Sequence, residues 1–77
     1  MKKLEITLSE SETKIVLEAL LRREGEMVEF CRSSDDEDLV ADTGNELIEL
    51  RLLLKPLRER ALETFGSNVT NFSREEL

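Results

Sequence analysis

The 77-residue chain has no histidine, tryptophan or tyrosine, and Cys31 is its single cysteine. Without histidine it cannot assemble the usual general bases, thiolate–imidazole pairs or zinc ligand sets, and one thiol excludes an intrachain disulfide. We therefore expect no enzyme activity, no cofactor and no metal site. Carboxylate-only hydrolysis or a magnesium site stays formally open, although the candidate residues do not fit the calcium-loop spacing. Those residues are Asp35, Asp36, Asp38 and Asp42.

Glycine-rich loops and long apolar runs are also missing. Gly25, Gly44 and Gly66 are far apart in the sequence, which argues against a phosphate-binding loop. No apolar run exceeds three residues, whereas a membrane-spanning helix needs roughly 20. The N-terminal residues lack the apolar core of a signal peptide. We therefore expect a soluble, cytoplasmic protein that does not enter a membrane.

Aromatic residues are limited to three phenylalanines, so the core must be aliphatic. A chain of this length forms one domain at most and buries a smaller share of its surface than a typical domain. With 39% apolar and 38% charged residues it is still rich enough in Leu, Ile and Val to fold. Small aliphatic cores usually need reinforcement. Because no disulfide or metal is expected, we predict self-association.

Positive charge is missing from one segment of the chain. Residues 33–50 hold seven acids and no lysine or arginine, while the rest of the chain balances 11 acids with 11 bases, so the formal charge of −7 is local. Such a surface favours a basic partner and repels polyanions. The alternative is that the acids only cap and solvate a helix start, where negative charge is favourable. The predicted partner-binding residues are Asp35, Asp36, Glu37, Asp38, Asp42 and Glu46.

Two long helices are predicted, one that ends just before the acidic segment and one that begins within it. Ser9 and Glu12 match a capping box, and apolar residues at helical spacing predict helix 1 over about residues 9–32, with a bend or an end possible at Gly25. On its apolar stripe, Cys31 is expected to be a core residue rather than a reactive thiol. The stripe consists of Val16, Ala19, Leu20, Met27, Phe30 and Cys31, and it is widened by Leu17, Leu21 and Val28.

Helix 2 has two competing start signals, a capping box at Ser34 with Glu37 and another at Thr43 with Glu46. We prefer the earlier start because it places acidic residues in the first turn. Helix 2 is then predicted over about residues 35–65.

The predicted helix 2 contains a proline and is followed by a glycine. Pro56 removes an amide donor, so we expect a bend near this residue. Gly66 is expected to stop the helix in a left-handed conformation. Residues 1–66 would form a single helical-hairpin domain, and residues 67–77 would be a polar C-terminal tail.

Helix 2 carries more apolar surface than one neighbouring helix can cover. Two apolar series follow heptad spacing, and Ile48, Leu52 and Leu62 form a strip outside them. We therefore predict an all-α fold, a long antiparallel helical hairpin with a short N-terminal strand-like arm at residues 3–8. Two copies would form a homodimeric four-helix bundle. The predicted dimer core consists of Val40, Leu47, Leu50, Leu54, Leu57, Ala61, Val16, Leu20 and Met27.

Three cations of helix 2, Arg51, Lys55 and Arg58, share one helical face that could hold an anion. The alternative is that they pair with glutamates of the bundle, including Glu59 and Glu63.

The arm alternates apolar and polar residues, with Leu4, Ile6 and Leu8 on one face. In the order strand, helix, helix, the run Leu4-Glu5-Ile6-Thr7-Leu8 followed by Ser9-Glu10 resembles the ribbon-helix-helix DNA-binding proteins. The resemblance implies that two copies pair their strands and insert the ribbon into a DNA groove. An extended arm laid across the helices is the other interpretation of residues 3–8.

Taken together, these patterns favour a non-enzymatic interaction, regulatory or inhibitor protein. It would act as a homodimer whose acidic surface engages a basic protein surface. The acidic segment would repel phosphates, which argues against nucleic acid as the partner. A ribbon-helix-helix-like transcriptional regulator or antitoxin is the alternative function.

Overall fold

The structure is a computed structural model that describes residues 2–71, and the regular secondary structure within this range is entirely helical. Helix α1 spans Glu10–Ser33, helix α2 spans Glu37–Phe65, and a 3-10 turn spans Ser67–Thr70. The two helices pack against each other, so the predicted all-helical hairpin is confirmed. None of the described helices combines the length and the apolar character needed to cross a bilayer.

Helix α1 begins as its sequence signal predicts. The Glu12 amide donates to the Ser9 hydroxyl at 3.2 Å, and the Ser9 amide donates to the Glu12 carboxylate at 2.9 Å. These two bonds form the complete capping box. The helix then continues through Gly25 to Ser33 without ending at the glycine.

Helix α2 uses a different cap from the one expected. Asp36 is the N-cap, and its carboxylate accepts hydrogen bonds from the amides of Asp38 at 3.1 Å and Leu39 at 3.2 Å. The predicted Ser34–Glu37 capping box is therefore wrong: the Ser34 hydroxyl accepts from the Asp36 amide instead. Aspartate and serine are comparable caps, so local sequence did not decide between them. The later start at Thr43 is not used, because Thr43 lies within α2.

The end of α2 is set by glycine. Gly66 has a φ of +84°, which glycine adopts readily, and its amide donates to the Leu62 carbonyl at 2.9 Å. The helix therefore ends at the predicted glycine, but its ψ of −176° differs from the left-handed helical conformation that was expected. Pro56 lies inside the helix, which continues on both sides of it, and the bend near Pro56 stays a prediction.

The core lies between the two helices and the 3-10 turn. Leu17 of α1 and Val69 of the turn are fully buried, and they cluster with Leu54 and Ala61 of α2. Residues 67–70 therefore pack against both helices, and the domain boundary after residue 66 stays a prediction. The remainder of the predicted tail, residues 72–77, lies outside the described residues.

Residues 2–9 precede α1 without regular secondary structure. Leu4 and Ile6 are 89% and 73% exposed. Among the described residues, no backbone–backbone hydrogen bond ties residues 2–8 to the rest of the chain. The strand-like arm and its pairing with a second copy stay predictions.

The molecule is flat. Its extents are 40 × 40 × 16 Å, and its radius of gyration is 14.8 Å, against about 11.5 Å for a compact domain of this length. It exposes 6385 Å² of surface, whereas a compact monomer of 8.9 kDa exposes about 4,800 Å². One layer of helices therefore has both broad faces accessible.

Candidate interaction surfaces

The acidic residues predicted to bind a partner lie at the connection between the helices and along the first half of α2. All six are exposed. Asp36 is committed to the N-cap, and Glu37 and Asp38 occupy the first turn of α2, where they favour helix formation. Asp42 and Glu46 lie beyond the first turn, so capping does not explain their charge.

The ion pairs of the described chain do not involve this acidic surface. Between residues 2 and 71 the four ion pairs all use glutamates of α1. Arg51 binds Glu24 at 2.7 Å, and the other three pairs join residues within α1. The acids of α1 are thus partly neutralised by cations, whereas those of the acidic surface have no ion pair within residues 2–71.

The three cations proposed to hold an anion line one groove of about 330 Å³ between the helices. The Arg51 guanidinium donates to the Glu24 carboxylate at 2.7 Å. One of the three is therefore already paired with a glutamate of α1. Lys55 and Arg58 are exposed and share the groove with Glu24 and Glu59.

The residues predicted to form a dimer core divide into two groups. Met27, Leu54 and Ala61 are buried within the single chain, so they already belong to the hairpin core. The other six are half-buried and keep part of their surface accessible. These are Val16, Leu20, Val40, Leu47, Leu50 and Leu57.

Two apolar regions of α2 are open to solvent. The first is the strip predicted from the sequence, which we call the outer strip: Ile48, Leu52 and Leu62 are 60%, 71% and 38% exposed. The second contains Leu39 and Leu53, which are 50% and 53% exposed, and sequence reasoning missed it. The spacing of Leu39 and Leu53, two heptads apart, was the signal that could have revealed it.

A groove of about 540 Å³ lies beside Leu53. The N-terminal residues Ile6 and Leu8 form one side, while Leu57 and Arg60 are among the α2 residues on the other. The groove extends the apolar region around Leu53 toward the end of α2.

Cys31 is half-buried, and its thiol lies 3.9 Å from the Val40 carbonyl. Its place between α1 and α2 agrees with a packing role. In the part of the chain that the structure describes, no group of three or more Cys, Asp or Glu side chains is arranged to hold a metal ion.

Comparison with known proteins gives no match: no family model fits the chain, and neither the curated proteins nor the solved structures contain a significant relative.

Proposed function

We propose that the protein is a small, non-enzymatic interaction or regulatory protein that acts as a homodimer and engages a basic protein surface through its acidic surface. The observation that carries this proposal is the uneven neutralisation of charge. Four glutamates of α1 have cationic partners, whereas the acidic surface has none among the described residues.

The charge pattern favours a particular chemistry in the partner. A concentrated negative field accelerates encounter with a positive surface and disfavours polyanions. Lysine-rich or arginine-rich protein surfaces fit this requirement. A partner of this kind would neutralise side chains that the folded chain leaves without counter-charges.

The flat shape supports the homodimer. A standard protein interface removes roughly 800 Å² from each partner. The chain exposes 6385 Å², which exceeds the surface expected for its mass by more than that amount.

A charge-neutralised variant tests the acidic surface. In the test variant, Asp35, Asp36 and Asp38 are changed to Asn and Glu37 to Gln; asparagine at position 36 preserves the N-cap. The matched control changes four exposed glutamates elsewhere to Gln, which alters the net charge equally. These are Glu5, Glu10, Glu59 and Glu63.

Binding to a synthetic deca-lysine peptide is then measured by fluorescence anisotropy across a salt series. We expect the test variant to bind at least tenfold more weakly than the wild type at low salt, and the control variant to lose much less. Equal losses in the two variants would show that only net charge matters and would contradict a localised binding surface.

The ribbon-helix-helix-like alternative has one supporting observation: within residues 2–71, no backbone–backbone hydrogen bond joins residues 2–8 to the rest of the chain. This would leave the segment available to pair with a second copy. A gel shift with a short DNA duplex at low salt distinguishes the two functions. Retention of DNA would favour the alternative, and its absence together with peptide binding would favour the acidic interaction surface.

A further inference from the structure

A straight row of side chains runs along one side of α2. Leu39, Glu46, Leu53 and Arg60 are each seven residues apart, so they lie nearly in line along the helix, about 10.5 Å from one to the next. Leu53 lies midway between Glu46 and Arg60. We call these four residues the central row.

The central row carries apolar surface that the single chain leaves open. Leu53 is 53% exposed and Leu39 is 50% exposed. Leu50 and Leu57, one turn to either side of Leu53, are half-buried. Leu53 and Leu57 also line the groove that Ile6 borders, whereas Leu39 lies about 21 Å further along α2, beyond Glu46.

Charge is distributed unevenly along the same helix. Residues 37–50 contain five acids and no base, whereas residues 51–65 contain four bases and two acids. An antiparallel pair of α2 helices brings the acidic half of each against the basic half of the other. A parallel pair would place the two acidic halves together, which is unfavourable.

Resting on the proposed homodimer, we infer that two copies pair their α2 helices antiparallel across the central row, with the two-fold axis at Leu53. This register places the two Leu53 side chains against each other. It also places Glu46 opposite Arg60 of the second copy, and the symmetry repeats the contact. Neither Glu46 nor Arg60 has an ion pair within residues 2–71, so both are free to make it.

The outer strip can be opposed in two ways. An axis at Leu52 sets Glu49 opposite Lys55, but Ile48 then lies opposite Pro56 and Leu62 opposite Asp42. An axis that sets Ile48 opposite Leu62 of a second copy falls at Lys55, and it brings two lysines together. The same register sets Arg51 opposite Glu59, but Arg51 is already held by Glu24 at 2.7 Å. Charge therefore disfavours the register that sets Ile48 opposite Leu62. The groove beside Leu53, bordered by Ile6 and Leu57, favours the central row over an axis at Leu52.

The inferred arrangement has a consequence for the acidic surface. An antiparallel pair places the two connections between the helices, residues 34–36, at opposite ends of the dimer. Asp35, Glu37 and Asp38 of each copy then remain outside the contact, whereas Glu46 is used in the dimer and no longer belongs to the acidic surface. The dimer presents two separate acidic ends, which allows two basic surfaces to bind at once.

Single-cysteine crosslinking tests the position of the axis. Leu53→Cys, Leu52→Cys and Ile48→Cys are each made in full-length protein carrying Cys31→Ala, and circular dichroism checks that each remains helical. Two helices 8–10 Å apart bring facing Cα atoms on the axis within disulfide range. Under mild oxidation we expect L53C to form a covalent dimer and both outer-strip variants to stay largely uncrosslinked.

Charge reversal tests the register. Because the symmetry makes two Glu46–Arg60 contacts, E46K or R60E alone should weaken dimerisation by about tenfold, as measured by sedimentation. The double variant E46K/R60E should recover most of the loss. Glu59→Lys is the matched control, because it makes the same charge change on the outer side of α2, and we expect a smaller effect from it.

The outcomes separate this inference from the homodimer on which it rests. If the wild type is a dimer but I48C or L52C crosslinks in place of L53C, or if the double reversal gives no recovery, the central-row arrangement is overturned and the homodimer stands. If the wild type is a monomer in the same sedimentation experiment, the homodimer itself fails.

Discussion

Leu17 is the α1 side chain on which the single-chain core depends most. It is fully buried and packs in the cluster that contains Leu54, Ala61 and Val69. Ile15 lies two residues away on the same helix and is 62% exposed. The two positions have similar chemistry and opposite environments, which makes them a natural pair for comparison.

We predict that Leu17→Ala destabilises the protein by about 2–5 kcal/mol, because it removes transfer free energy and leaves a cavity. Ile15→Ala should change stability by less than about 1 kcal/mol, since most of its side chain is already in water. Urea denaturation followed by circular dichroism measures both. Equal losses would show that Leu17 is not at the centre of the core, or that Ile15 is covered by a second copy.

The sequence could not single out Leu17, because apolar residues surround most of the circumference of α1 over about two turns. Residues 15, 16, 17, 19, 20 and 21 are all apolar, so helical spacing leaves the direction of the core ambiguous. The predicted stripe placed Ala19 and Phe30 inward, yet both are exposed. Glu24 also interrupts the expected apolar arc, and the reason is tertiary: it binds Arg51 of the other helix.

Local signals decide the ends of the helices, and these were largely predictable. The Ser9–Glu12 capping box and the Gly66 stop depend on a few neighbouring residues. The burial of Val69 depends on contacts with residues distant in the sequence, so a short polar segment was taken for a tail. Among the acidic residues, the sequence predicted exposure correctly but could not say that Asp36 acts as the cap.

The glycines give a prediction about the helices themselves. Gly25 and Gly44 lie inside α1 and α2, and a Cβ added at either position meets nothing within 4 Å. Replacing either glycine with alanine should stabilise the protein by about 0.5–1 kcal/mol, because alanine is the better helix former. Gly66→Ala should instead destabilise it by about 1–3 kcal/mol, because its φ is +84°.

Thermal unfolding at one fixed protein concentration compares the three glycine variants. If Gly44→Ala lowered stability while Gly25→Ala raised it, the added methyl group at position 44 would be meeting other atoms in solution, and the space beside Gly44 would not be open. If Gly66→Ala had no effect, the assigned helix end would be wrong.

At the scale of the whole molecule, the core of the single chain is too small to bury all of its large apolar side chains. The described structure fully buries the side chains of Leu17 and Val69, while Ile48, Leu52 and Leu53 remain more than half exposed. The sequence predicted this surplus from the apolar strip outside the heptad series. It could not identify which side of α2 stays exposed, because that depends on how α1, the 3-10 turn and the N-terminal residues pack on this helix.

Sedimentation equilibrium of the wild-type chain over about 1–100 μM, together with the melting temperature at each end of that range, tests the homodimer most directly. We predict a particle of twice the 8.9 kDa chain mass and a melting temperature that rises with concentration, because association stabilises only the folded state. A mass of 8.9 kDa throughout, with a melting temperature independent of concentration, would contradict it.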